Sequence, residues 1–125
     1  MKRTVTSCPV ETAMTVIGGR WRAVILFYLF EGTKRFSELR RAIPNISQRM
    51  LTQDLRGLEA AGIVSRTVYA EVPPRVEYRL TPLGTRLFPS VSALLAWGIK
   101  LEVSLGIDRA RGKRMRSPAS VRSGR

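Results

Sequence analysis

Apolar positions recur along this chain with two different periods, and the switches between them divide it into elements. Val10, Ala13, Met14 and Ile17 follow helical spacing behind Pro9, so residues 9–17 are expected as an amphipathic helix ended by Gly18-Gly19. The segment from Arg20 to Phe30 is the most apolar and suits a helix buried on most sides. Glu31-Gly32-Thr33 predicts a turn and Lys34-Arg35 a very short strand. Ser37 can then cap a short helix that turns Leu39 and Ile43 inward with Phe36 nearby, until Pro44-Asn45 breaks it. Ser47 caps a further helix in which Leu51, Leu55 and Leu58 repeat at i, i+4, i+7, and Gly62 closes it. Gly57, inside that helix, costs about 1 kcal/mol against alanine. No neighbour in the sequence accounts for it.

The period then changes to two. IVSRTVYA is rich in β-branched residues, and VEYRL puts Val76, Tyr78 and Leu80 on one face and Glu77 and Arg79 on the other. With EVPPR between them the two strands form a hairpin. Thr81-Pro82 opens another helix, where Leu87, Val91, Leu94, Gly98, Leu101 and Leu105 recur in a heptad-like stripe. Pro89 should kink or split it. The fold class is therefore mainly α with a small β-hairpin, an α+β chain.

Two helices around a tight break, followed by a two-stranded wing, is the order of a winged helix-turn-helix. Its second helix enters the major groove while the hairpin reaches the backbone or the minor groove. The helix beginning at Ser47 suits that role. Its leucines take one side, while Arg49, Thr52, Gln53 and Arg56 stand at i, i+3, i+4, i+7 on another. Arginine forks to guanine and glutamine to adenine, so these are residue types that base edges require. Ser47 and Gln48 lie at the N-terminal end, where unpaired N–H groups favour a phosphate. Arg75 at the wing tip is a candidate groove or phosphate contact, with Arg66 and Arg79 on the strands. Arg35 and Ser37, at the start of the preceding helix, join the candidate DNA face, and Lys34, Arg40 and Arg41 can flank it. A plainly solvated helix face is the competing explanation of the same residues.

Charge strengthens the first explanation. Among 125 residues, 22 are Lys or Arg and 9 Asp or Glu, a net of +13. Residues 107–125 hold seven basic side chains and one acidic, so the body stays basic without this tail, which is expected to be disordered. Residues 1–106 form one domain. Such an excess favours a polyanionic partner, nucleic acid first and an anionic membrane surface second, and the groove-reading helix makes double-stranded DNA the expected nucleic acid. The chain has no histidine, one cysteine and no phosphate-binding glycine loop, which argues against an enzyme, a metal site or a cofactor. The longest apolar run, Ala23 to Phe30, is short of the ~20 residues a bilayer requires. No apolar core of a signal peptide follows MKRTVTSC, so a cytoplasmic protein is expected. A basic nucleic-acid-binding or architectural protein without sequence preference is the alternative function.

The stretches CPVETAMTVIGGRWRAVILFYL, RFSELRRAIPNISQRMLTQDLRGLEAAGIVSRTVYAEVPPRVEYRLTPLG and LLAWG resemble the HxlR-type winged-helix transcriptional regulators of bacteria. The resemblance runs from Cys8 to about Gly98. It implies a regulator, with repressor as the favoured sign, that binds an inverted-repeat operator as a homodimer. It also implies dimerisation through the first and C-terminal helices, with Val10, Met14, Leu87, Val91, Leu94 and Leu101 as interface candidates. An intramolecular core contact competes for the C-terminal stripe. Some family members sense oxidants or electrophiles with a cysteine at the place of Cys8, so an oxidant or small-molecule effector is a further candidate partner. Cys8 precedes Pro9 and takes the N-cap position, where a reactive thiol and a small inert one are both at home. With one cysteine per chain, the available chemistry is a bridge between two copies of Cys8, a mixed disulfide or alkylation. Two features depart from the family pattern: Gly57, where a charged helix former is more usual, and the basic tail.

Overall fold

In the computed structural model, residues 5–108 and 113–114 are described. The order is α1 (Pro9–Ile17), α2 (Arg22–Leu29), β1 (Lys34–Arg35), α3 (Phe36–Ala42), α4 (Gln48–Ala60), β2 (Val64–Tyr69), β3 (Arg75–Leu80), α5 (Pro82–Thr85) and α6 (Phe88–Leu105). The chain divides into two compact units, one running to Phe88 and the other starting at Pro89.

The first unit is built around α2, α3 and α4. Ile25, Leu26, Leu39, Leu51, Leu55, Leu58 and Val64 are fully buried, and Ile43, Ile46, Ile63 and Tyr78 complete the cluster. The helical and strand members occupy inward positions of their periodic patterns, while Ile43, Ile46 and Ile63 fill the cluster from the connections next to α3, α4 and β2. The sheet is antiparallel in the order β1-β3-β2, so two-residue β1 completes it on the far side of the hairpin. Val64 pairs with Leu80 and Tyr69 with Arg75, which leaves Ala70–Pro74 as the wing tip.

Local chemistry sets the helix ends. Ser47 Oγ accepts a hydrogen bond from the Met50 N–H at 3.0 Å and so caps α4. Gly62, with φ of +77°, supplies the left-handed residue that ends it. Thr81 Oγ likewise accepts from the Gly84 N–H at 3.1 Å to start α5. Ser47→Ala should lower unfolding stability by about 0.5–2 kcal/mol, measured by denaturant titration. Loss of less than that range would show that α4 does not depend on its cap.

Ser37 does not cap α3. The helix begins one residue earlier, at Phe36, because the Glu38 carboxylate reaches back and accepts the Arg35 N–H at 2.7 Å. Ser37 therefore sits in the first turn, exposed. Helix α2 starts at Arg22 rather than Arg20.

The second unit consists of α6 and a small ladder pairing Ile107 with Arg114 and Asp108 with Lys113. That ladder lies within the tail expected to be disordered; the other residues beyond Asp108 fall outside the described ones. The C-terminal stripe is split as anticipated, with the break at Arg86-Leu87 and Pro89 at the second position of α6. Leu87 consequently leaves the stripe and packs against the core of the first unit. Val91 is buried as well, whereas Leu94 and Leu101 are exposed.

Candidate nucleic-acid interface

The geometry of α4 follows from its two-sided sequence. Leu51, Leu55 and Leu58 are buried, and the opposite surface presents Arg49, Gln53 and Arg56 to solvent with Thr52 half-buried between them, while Gln48 is exposed in the first turn. None of these polar side chains is tied into an ion pair among the described residues. Their donors are turned outward from a helix whose axis is fixed by the leucines behind. Ser47 is exposed at the N-terminal end, although its hydroxyl is engaged in capping.

The wing extends this surface. A cleft of about 240 Å³ between α4 and the sheet is lined by Thr52, Arg56, Glu59, Arg66 and Tyr78. It brings Arg66 of β2 next to the outward face of α4. In sequence Arg66 is one strand arginine among several, and only the antiparallel register against Tyr78 sets it here. Arg79 on β3 and Arg35, Arg40 and Arg41 around α3 are also exposed.

Arg75 behaves differently from the sequence expectation. Its guanidinium pairs with Glu71 at 2.8 Å and with Glu77, and lies 3.9 Å above the Tyr69 ring. The Arg75 hydrogen bond holds the Glu71 carboxyl below the usual carboxylate range. The wing tip is thus a stacked cluster of one cation and two carboxylates rather than a free cation. Alternation along β3 already puts Arg75 and Glu77 on one face, whereas Tyr69 is brought opposite Arg75 only by the hairpin register.

Cys8 is exposed at the N-cap of α1. The neighbouring Glu11 accepts hydrogen bonds from the Thr6 hydroxyl and from the N–H groups of Val5 and Thr6, so its charge is directed at the arm before the helix. The Thr6 hydrogen bonds also hold the Glu11 carboxyl below its ordinary range.

One anomaly of the sequence is resolved behind α4. Arg22 Nε donates to Asp54 Oδ1 at 3.2 Å and Arg22 Nη1 donates to the Val16 carbonyl at 2.9 Å. The guanidinium passes over Gly57, where an added Cβ would stand 2.7 Å from Cζ and still closer to Nη2. Glycine is what lets this cation cross the helix.

Comparison with known proteins agrees with this layout. Residues 16–103 match the HxlR-like helix-turn-helix family. The chain is 50% identical over 93 residues to the uncharacterized HTH-type transcriptional regulator YdeP of Bacillus subtilis, covering 74% of this chain and 73% of that one. Among solved structures it is similar to the redox regulator HypR in its oxidized form, with 52% identity and a TM-score of 0.71 over 74% of this chain and 96% of that one. It is also similar to the reduced form of the transcriptional regulator YodB from B. subtilis, at 41% identity and a TM-score of 0.65, covering 74% and 92% of the two chains.

Proposed function

The chain belongs to the HxlR-like helix-turn-helix family of transcriptional regulators, and on that premise we propose that it is a sequence-specific repressor acting as a homodimer on an inverted-repeat DNA operator. The observation that carries this reading is the outward face of α4: Arg49, Gln53 and Arg56 exposed together, with Gln48 exposed in the first turn, on a helix anchored by three buried leucines. Arg66 and Arg79 add phosphate contacts from the wing. Arg35 and Ser37 lie at the start of α3, the helix that crosses the backbone in this class of fold.

Dimerisation is supported by what α1 and α6 leave uncovered. Val10 and Met14 on α1 are exposed, and on α6 Leu94, Trp97 and Val103 are 50%, 61% and 64% exposed. Apolar surface of this extent calls for a partner. By length and composition alone, Pro82–Leu105 would suffice to cross a membrane. The break at Arg86-Leu87 and the charges of Lys100 and Glu102 favour a second copy of the chain in the cytoplasm instead. Leu94 and Leu101 are then interface residues, with Val10 and Met14 from α1.

Selection of bound sites from random duplexes tests the reading. Two inverted half-sites should emerge, and mass measurement in solution should give a dimer. No preferred sequence would instead identify a basic protein that binds nucleic acid without reading it.

A second reading concerns release. Cys8 is exposed, and the similar structures include a redox regulator. We infer that an oxidant removes two electrons and two protons from two Cys8 thiols, one per protomer, to form an inter-protomer disulfide that alters operator affinity. Peroxide treatment should change binding of the wild type and leave Cys8→Ser unaffected. An equal response of both would place the sensing elsewhere.

A further inference from the structure

We propose that Arg22 is a positioning residue that sets the angle between the α1 dimerisation helix and the α4 reading helix, with Gly57 as the opening that admits it. The inference rests on the dimeric, operator-reading function above and assigns a part of it to residues that touch neither DNA nor the apolar face of α1.

Three features define the clamp. The C-terminal turn of α1 has carbonyls without helical partners, and Arg22 Nη1 donates to one of them, that of Val16, at 2.9 Å. The same guanidinium donates through Nε to Asp54, in the middle of α4, at 3.2 Å. Both ends of the ion pair are largely shielded, with side chains 23% and 14% exposed, so water competes poorly for it. Arg22 is itself the first residue of α2. One planar side chain therefore joins the end of α1, the start of α2 and the centre of α4.

The fork geometry matters. A guanidinium presents several N–H donors in one rigid plane, so two bonds fix direction as well as distance. Any side chain at position 57 would occupy the space of that plane. A glycine in the interior of a thirteen-residue helix disfavours the helix, so its presence here is explained by what passes over it. The clamp itself lines a groove between α1 and α4, whose walls also include Met14, Val16, Gly18, Ala60 and Ala61, so open space flanks the bridge between the two helices. The angle between the two helices depends correspondingly more on the polar bridge.

In a dimer, α1 belongs to the fixed interface and α4 to the half-site. An error in their angle moves the two α4 helices of the dimer relative to each other and changes which half-site separation fits. Base preference within each half-site stays with Arg49 and Gln53.

The test uses full-length wild type, Gly57→Ala and Arg22→Gln in site selection from random duplexes, with thermal unfolding recorded alongside. Gly57→Ala removes the opening while favouring helix formation, so it keeps the test informative if Arg22→Gln folds poorly. Wild type should select paired half-sites at one separation. Both variants should keep the half-site sequence while discrimination against operators re-spaced by one or two base pairs falls about tenfold. Unchanged spacing discrimination, or an equal loss of affinity at every spacing, would overturn the positioning role and leave Arg22 a stabilising contact. Failure of the wild type to select paired half-sites would overturn the dimeric reading itself, and this proposal with it.

Discussion

Replacing Gln53 with alanine should cut discrimination between operator and random duplex by about 5- to 150-fold, because one well-placed bidentate base contact carries roughly 1–3 kcal/mol. Thermal unfolding should hardly move. Gln53 is exposed, its side chain supports no core contact, and surface substitutions of this kind usually stay within about 0.5 kcal/mol. Arg49→Ala should give the same pattern at a different base pair. Competition binding at fixed salt measures it, since the phosphate contribution rises and falls with ionic strength and would otherwise mask the change. If both variants retained the wild-type specificity ratio, the reading face would have to be assigned to another element.

Leu55→Ala, on the reverse of the same helix, should do the opposite. Leu55 is 1% exposed in the centre of the cluster shared by α2, α3 and α4. Removing its isobutyl group should cost about 2–5 kcal/mol, from lost burial and from a cavity that its neighbours close only partly. Against a typical total of about 5–15 kcal/mol, that is a large share of the stability. The melting temperature should fall by something on the order of 10 °C. At temperatures where the variant remains folded, its preference among base sequences should persist. A melting temperature within a degree or two of wild type would mean that α4 is not held by this core. Paired together, the two substitutions separate what α4 recognises from what keeps it in place.

Much of the fold is written in local signals. Pro9, Ser47, Gly62 and Thr81-Pro82 fix helix ends through backbone chemistry that involves only near neighbours, and the structure places the ends there. The leucine spacing of α4 and the alternation of β3 likewise select their buried faces without help from the rest of the chain. The start of α3 was less legible, because Ser37 and Glu38 favour different starts: a Ser37 cap would serve the N–H groups of Leu39 or Arg40, whereas Glu38 serves that of Arg35. Glu38 prevails by reaching the Arg35 N–H. The outward face of α4 could be read from helical spacing alone. Arg75, Arg66 and Arg22 could not be sorted in the same way. Each is an arginine among 18 in the sequence, and its role is decided by partners brought together through folding: Glu71, Glu77 and Tyr69 for the first, the cleft beside Arg56 for the second, Val16 and Asp54 for the third. The C-terminal helix shows the same division. Its apolar stripe is plain, but which members of the stripe stay open depends on where the break before Pro89 falls.

The space above Gly57 also has a consequence for how this sequence can diverge. A guanidinium lying over α4 as that of Arg22 does and a side chain at position 57 need the same volume, so a side chain added at 57 has to push the end of Arg22 aside. Neither position can drift alone without disturbing Asp54 and the end of α1. Among descendants of this chain, a larger residue at 57 should arrive together with a shorter or differently directed one at 22, and the two sites should mutate as a linked pair although they lie on separate helices.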